Sequence, residues 1–139
     1  MDKQRAITLI KEFLIADLSK EGWFSSVRPF LKAVILYGSV AKETNRPDSD
    51  IDILLIMPLD IEEKYTMGEY FYDYREQKIN IVIRSIEKLR RIAEEKNDIF
   101  QKEIFRGAEI LEETDDEVRK LLKDMEILQI QTVLILLIL

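Results

Sequence analysis

The sequence predicts an α/β fold, in which a small mixed β-sheet carries helices mainly on one face and an open cleft on the other. Three observations support this prediction. Short apolar runs typical of buried strands alternate with stretches of helical periodicity along the chain. Two runs with period-two alternation lie next to each other and indicate a β-hairpin. The length of 139 residues is sufficient for one hydrophobic core.

The first predicted element is a helix between Ala6 and Lys20, where apolar residues recur at helical spacing and Gly22 ends the pattern. The other elements are also taken from local patterns. In chain order they are a strand over 31–38, a helix over 39–45, a strand over 50–57, a short helix from Asp60 to about Met67, a hairpin over 70–84 with its turn at Gln77–Lys78, a long helix from Ile86 to about Phe105, an edge strand over 107–113 and a helix from there to the C-terminus.

The C-terminal segment is unusually apolar. Residues 127–139 read ILQIQTVLILLIL, which is shorter than the run of about 20 apolar residues that a membrane-spanning helix needs. We therefore predict a main domain over residues 1–113, which carries the function, and a C-terminal apolar helix over 114–139 that serves as an interface. Apolar surface of this extent indicates self-association or a partner protein. The alternative is a helix that packs on the domain's own sheet and frays at its end.

Composition excludes several classes of protein. The formal net charge is −6 and no segment is strongly basic, so we expect no stable binding of nucleic acid. The chain has no cysteine and no histidine, which excludes disulfides, thiolate or imidazole metal sites and serine–histidine triads. A bound metal must have oxygen ligands, and Mg²⁺, Mn²⁺ or Ca²⁺ suit such ligands. The charged, amphipathic N-terminal stretch does not resemble a signal peptide, so we expect a cytoplasmic protein without a membrane anchor.

Two carboxylates interrupt the second predicted strand. Asp50 and Asp52 alternate with Ile51 and Ile53, so the two acids lie on one face and the isoleucines on the other. Adjacent carboxylates repel each other, and a divalent cation converts that repulsion into binding because hard cations prefer clustered carboxylate oxygens. The pattern therefore indicates a metal site. The alternative is a solvent-facing edge strand with scattered acids.

A glycine-serine turn precedes these acids. Gly38 allows a sharp bend at the end of the first strand, and Ser39 lies at the start of a helix, where N–H groups and a hydroxyl suit a phosphate. Taken alone, the pair indicates only an ordinary helix N-cap after a glycine turn. Together with the two acids, it predicts a phosphate site facing a metal site, and a metal-bound nucleoside triphosphate is the ligand that fits both.

Gly38-Ser39, ten residues and then Asp50-Ile51-Asp52 resemble the signature of the DNA polymerase β-type nucleotidyltransferase superfamily, and the segment DSDIDILLI is most similar to its minimal nucleotidyltransferases. The resemblance covers about Leu31 to Ile83. It implies the nucleotidyltransferase fold, a triphosphate bound at Gly38 and Ser39, and two Mg²⁺ ions, or Mn²⁺, held by Asp50 and Asp52. It also implies transfer of a nucleoside monophosphate, AMP from ATP.

One position departs from the family pattern. Members carry a third acid on a later strand, and the matching residue in KINIVIR is Asn80, an amide that brings no charge. This residue makes the activity doubtful and leaves open a catalytically weak or inactive nucleotide-binding sensor. With a turn at Gln77–Lys78, Asn80 would lie opposite Arg75 and Asp73 opposite Val82. Arg75 could then contact the triphosphate and Asp73 could replace the missing acid, unless both are simply solvated.

The resemblance also suggests an acceptor. Minimal nucleotidyltransferases often work with a helical HEPN-domain protein as a toxin–antitoxin pair, in which the transferase adenylylates the toxin. The short chain has little room for a substrate-recognition domain. A transferase acting on a small antibiotic is therefore the less favoured alternative. We expect a HEPN-type partner, a second copy of the chain at the C-terminal helix, or both.

Overall fold

The computed structural model describes residues 1–65, 69–95 and 98–138. Short 3-10 helices over Leu18–Lys20 and Arg28–Phe30 supplement the main elements. In chain order the helices are α1 (Lys3–Ala16), α2 (Gly22–Val27), α3 (Gly38–Lys42), α4 (Leu59–Lys64), α5 (Ile86–Glu94), α6 (Ile99–Ile104) and α7 (Glu117–Ile138), and the strands are β1 (Ala33–Tyr37), β2 (Ile51–Met57), β3 (Glu69–Tyr74), β4 (Gln77–Ser85) and β5 (Glu109–Glu113).

The five strands form one mixed sheet in the order β3-β4-β2-β1-β5. β2 runs parallel to β4, whereas the β1–β2, β3–β4 and β1–β5 pairs are antiparallel. β2 and β4 are therefore interior strands, and β3 is an edge strand. This arrangement places the two acids predicted on β2 directly beside the strand that carries Asn80.

The sheet is covered on both faces to different extents. α1 and α2 pack on one face, where they bury Ile51 and Ile53 of β2. α5 and α7 pack on the other face, over Leu54 and Ile56. α3 and α4 also contribute to the first cluster, so helices pack on both faces of the sheet. The predicted α/β class with a mixed sheet is confirmed. The second face is less covered around the start of β2 and on β3, where Asp52 is half-buried and Phe71 is exposed.

Several helix boundaries differ from prediction, and α3 ends at Lys42 and not at 45. α1 ends at Ala16, and Gly22 begins α2 instead of ending a helix. The helix predicted from Ile86 to about Phe105 is interrupted: α5 ends at Glu94 and α6 begins at Ile99 after Asp98, whose side chain accepts a hydrogen bond from the Gln101 N–H at 3.0 Å. The predicted end of the fourth helix at Met67 lies outside the described residues.

The C-terminal helix belongs to the core over its first half. Val118 and Met125 are buried, and Arg90 of α5 donates two hydrogen bonds, of 2.6 and 2.9 Å, to the Glu117 carboxylate. Farther along, every side chain over 134–138 is exposed, and Leu139 lies outside the described residues. The domain boundary between 113 and 114 and the interface role remain predictions. Within the described ranges, no helix has the length and apolar character needed to cross a membrane.

Candidate active site

A row of four side chains crosses the sheet on the face opposite α1. The strand registers pair Phe71 with Asn80, Asn80 with Asp52, and Asp52 with Tyr37. Paired residues in neighbouring strands point to the same face, so these four side chains lie side by side. The parallel pairing of β2 and β4 thus brings the predicted metal ligand Asp52 next to Asn80.

The glycine turn converges on the same row. Gly38 has a φ of +79°, a conformation that favours glycine, and it follows Tyr37, the partner of Asp52. A Cβ atom at Gly38 would lie 2.5 Å from Asp52 Oδ2 and 3.3 Å from Asp52 Cγ. Only a glycine lets the backbone approach the carboxylate this closely.

Ser39 lies in the first turn of α3, next to Gly38. Its carbonyl accepts a hydrogen bond from the Thr44 N–H at 2.9 Å. Its hydroxyl forms no hydrogen bond with the residues that the structure describes. The first N–H groups of a helix lack partners within the helix, so this turn presents donors beside the Asp52 carboxylate.

Asp52 is in an unfavourable environment for a negative charge. Burial raises the pKa of Asp52, and repulsion by the nearby Asp50 carboxylate raises it further. A hydrogen bond from Asn80 opposes the shift, with Nδ2 donating to Asp52 Oδ1 at 3.4 Å. A positive charge placed here would therefore be stabilised by both carboxylates.

The Asn80 amide presents its Nδ2 to Asp52, so its oxygen would join the carboxylates as a cation ligand only after the amide rotates. Asn80 Oδ1 is buried and has no hydrogen-bond partner among the described residues. A buried polar atom without a partner is costly, and a cation ligated by that oxygen would remove the cost. Two carboxylates and one amide oxygen fit a hard divalent cation. No group of three or more histidine, cysteine, aspartate or glutamate side chains suited to a metal occurs within the described ranges.

The predicted hairpin register is wrong. The turn lies at Arg75–Glu76, where both residues have positive φ values of 49° and 66°, and not at Gln77–Lys78. As a result Asn80 lies opposite Phe71, and Asp73 lies opposite Lys78 instead of Val82. The predicted face of Asp73 is right, but its position along the strand is not.

The corrected register removes Arg75 from the row. Arg75 forms an ion pair with Glu12 of α1, and its guanidinium lies 5.7 Å from the centre of the Tyr74 ring. Because α1 packs on the opposite face of the sheet, the structure does not bring Arg75 to Asp52. Asp73 is exposed on the edge strand and does not complete a three-acid group within the described part of the chain.

The structure thus brings together Gly38, Ser39, Asp50, Asp52 and Asn80, whose roles remain predictions. The two residues at the ends of the row, Tyr37 and Phe71, were not predicted from the sequence. The signal for Tyr37 was available, since it immediately precedes the glycine turn. Phe71 could be found only with the correct hairpin register.

Residues 24–128 match the nucleotidyltransferase domain family. The chain belongs to this family. The match spans β1, β2 and β4: Gly38 directly follows β1, Asp52 is the second residue of β2, and Asn80 lies within β4. The resemblance found in the sequence is therefore confirmed at the level of the family.

Two solved structures are among those similar to this chain. A nucleotidyltransferase-like protein from Exiguobacterium sibiricum 255-15 is 13% identical with a TM-score of 0.50, and the match covers 89% of this chain and 38% of that one. A crystal structure of a toxin–antitoxin with AMP-PNP is 14% identical with a TM-score of 0.40, and the match covers 80% of this chain and 85% of that one. No curated protein matches the sequence.

Proposed function

We propose that the protein transfers a nucleoside monophosphate, AMP from ATP, to an acceptor. The observation that carries this proposal is the approach of Gly38 to Asp52, where a Cβ would lie 2.5 Å from the carboxylate oxygen. Because of this approach, the proposed phosphate-binding turn and the pair of acids lie close together. Such an arrangement suits the triphosphate of a nucleotide together with its divalent cation.

In this proposal Asp50 and Asp52 hold Mg²⁺, as two ions, with Mn²⁺ as a substitute, and Asn80 adds its amide oxygen. Gly38 and Ser39 bind the β- and γ-phosphates through N–H groups and the hydroxyl. The cation, when bound, neutralises charge that develops on the transferred phosphoryl group. The half-burial of Asp52 strengthens these electrostatic interactions because less water screens them.

The proposed acceptor is a HEPN-domain toxin, with this chain as the antitoxin of the pair. The support is physical: the exposed apolar end of α7, over 134–138, needs a cover that the domain itself does not provide. A second copy of this chain is the other proposed cover. Both arrangements place the contact on the exposed end of α7.

A second candidate function is a nucleotide-binding sensor or neutralising subunit without turnover. The neutral amide of Asn80 beside Asp52 favours it, because two carboxylates hold a cation less strongly than three. Incubation with Mg²⁺ and α-labelled ATP, with and without a HEPN-domain protein, separates the two functions. Label on protein supports transfer. Saturable ATP binding without transfer in any pairing supports the sensor, and the absence of both contradicts the site.

Replacing Asn80 with aspartate tests the missing charge. The Asn80→Asp variant is expected to bind Mn²⁺ roughly tenfold more tightly, because a third carboxylate joins the donor set. Without metal, it is expected to unfold at a lower temperature because the new charge repels Asp52. Thermal unfolding with EDTA and with Mn²⁺ measures both effects. Unchanged Mn²⁺ affinity would show that position 80 does not contact the cation.

The exposed end of α7 is expected to drive association of the isolated chain. Leu134 and Leu137 are 53% and 78% exposed, so a double change to glutamate should leave folding intact and reduce the oligomeric state. Ile15, also 78% exposed but on α1, provides the matched control as Ile15→Glu. Sedimentation velocity is the measurement. A wild-type chain that is monomeric at every concentration tested contradicts self-association.

A further inference from the structure

The order of side chains across the sheet gives the proposed reaction a direction. From β1 toward the edge strand, the row reads Tyr37 with the adjoining Gly38, then Asp52, then Asn80, then Phe71. Neighbouring strands are about 4.8 Å apart. The phosphate turn and Phe71 therefore lie on opposite sides of Asp52.

Phosphoryl transfer places the attacking and leaving oxygens roughly in line through the phosphorus. In the proposed function, the β- and γ-phosphates lie against Gly38 and Ser39, so pyrophosphate leaves on the β1 side of Asp52. The attacking oxygen must then approach from the other side, past Asn80. The first side chain on that path is Phe71.

Among the described residues, Phe71 belongs to neither hydrophobic cluster and makes no contact with another aromatic ring. Its neighbours on β3, Tyr70 and Tyr72, point to the opposite face, where Tyr70 stacks on Trp23 at 4.1 Å and Tyr72 accepts a hydrogen bond from Trp23 Nε1 at 2.7 Å. Phe71 is 65% exposed. An isolated exposed phenylalanine needs no explanation by itself, but this one lies directly opposite Asn80 in the β3–β4 pair.

We propose that Phe71 is the acceptor-binding residue, on whose ring the acceptor packs an aromatic or apolar group that lies next to its nucleophilic hydroxyl. This inference rests on the proposed function and adds the substrate class. The hydroxyl oxygen forms a bond to the α-phosphorus of the nucleoside triphosphate, and the bond from that phosphorus to the oxygen bridging to the β-phosphate breaks. Pyrophosphate leaves, and the hydroxyl proton passes to water.

The test compares Phe71→Ala with Phe71→Trp and with Phe100→Ala, in full-length protein. Phe100 is the matched control because it is also strongly exposed, at 77%, but lies on α6. Two acceptor probes are used: N-acetyl-tyrosinamide, which carries its hydroxyl on a ring, and N-acetyl-serinamide, which does not. Binding of each probe is followed by saturation-transfer NMR with Mg²⁺ and AMP-PNP, and transfer is followed with α-labelled ATP.

Phe71→Ala is expected to raise the Kd and KM of the phenolic probe about three- to tenfold, the effect of losing one aromatic contact. The affinity for a fluorescent ATP analogue with Mn²⁺ should change by less than about twofold, since Phe71 lies on the acceptor side. Phe71→Trp should retain binding of the phenolic probe, and Phe100→Ala should behave as wild type.

Three results overturn the inference. Equal loss of ATP-analogue and probe binding in Phe71→Ala would make Phe71 a platform for the nucleobase. Unchanged probe binding in that variant would remove it from the site. Wild-type protein that binds the ATP analogue but neither probe would rule out an acceptor contact of this class while leaving the nucleotide site intact. Failure to bind the ATP analogue at all would instead contradict the proposed function, and the acceptor role with it.

Discussion

Replacing Asp52 with asparagine is expected to slow nucleotidyl transfer by about three orders of magnitude. The side chain keeps its shape and loses the charge that binds the cation, and cation stabilisation of the transferred phosphoryl group amounts to several kcal/mol. Loss of about 4 kcal/mol corresponds to about a 10³-fold slower reaction. Transfer from α-labelled ATP in Mg²⁺ is the direct measurement, and Mn²⁺-induced stabilisation against heat is the independent one.

The same substitution is expected to stabilise the metal-free protein. Burial and the Asp50 charge raise the pKa of Asp52, so the folded state binds a proton at Asp52 more tightly than the unfolded state does. The ionised carboxylate therefore lowers stability at neutral pH, and this penalty disappears as the pH falls through the raised pKa. In EDTA at pH 7, the melting temperature of Asp52→Asn should be higher than that of the wild type. The difference between the two melting temperatures should shrink as the pH is lowered.

Asp48 offers a charge-matched control for this experiment. It is an exposed carboxylate in the loop before β2, so Asp48→Asn changes the net charge equally without touching the row. It should leave transfer and Mn²⁺ stabilisation as in wild type. A stabilised Asp52→Asn protein that still transfers nucleotide at the wild-type rate would contradict the proposed site while confirming the electrostatic description.

Much of the fold was predictable because strong local patterns agree with the tertiary structure. β2 alternates Ile51 and Ile53 with Asp52, and the structure buries the isoleucines and half-exposes the acid. The interruption near Asp98 was missed, although its N-cap hydrogen bond to Gln101 is the kind that sequence reading can anticipate. Apolar residues continue at helical spacing from α5 into α6, so periodicity alone does not reveal the interruption between the two helices.

The structure places Gly38, Asp52 and Asn80 together as predicted, whereas the residues that depend on the hairpin were misplaced. A two-residue turn with positive φ values usually carries asparagine or glycine, whereas this one is Arg75–Glu76. Phe13 of α1 lies 5.5 Å from the Tyr72 ring and 5.6 Å from the Tyr74 ring, so these tyrosines lie on the helical side, the face that the predicted register also gave them. The error lies in the position of the turn, which is two residues earlier than predicted. Because the residue types at 75 and 76 do not indicate a two-residue turn, Arg75 was placed at the site and Phe71 was not.

Replacing Gly38 with alanine is expected to be the most damaging single-methyl change in the site. The positive φ alone costs a non-glycine residue about 1–2 kcal/mol. The new Cβ would in addition meet Asp52 Oδ2 at 2.5 Å, so β1 and β2 or the carboxylate must move. Both strands are interior strands of the sheet, where backbone shifts are resisted by packing. Unfolding in urea measures the stability, and Mn²⁺ titration measures the metal site.

Alanine variants of two other glycines serve as controls that distinguish a loss of stability from a loss of metal binding. Gly107 also has a positive φ, of +74°, and a Cβ there would lie 2.7 Å from the Ala41 carbonyl oxygen, so Gly107→Ala should lose stability without altering Asp52. Gly22 begins α2, and a Cβ there meets no described atom within 4 Å, so Gly22→Ala should be neutral or slightly stabilising. If the bend at Gly38 positions Asp52, only Gly38→Ala will lose Mn²⁺ affinity beyond its loss of stability. Equal Mn²⁺ affinity in folded Gly38→Ala and Gly107→Ala would show that the bend and the metal site are independent.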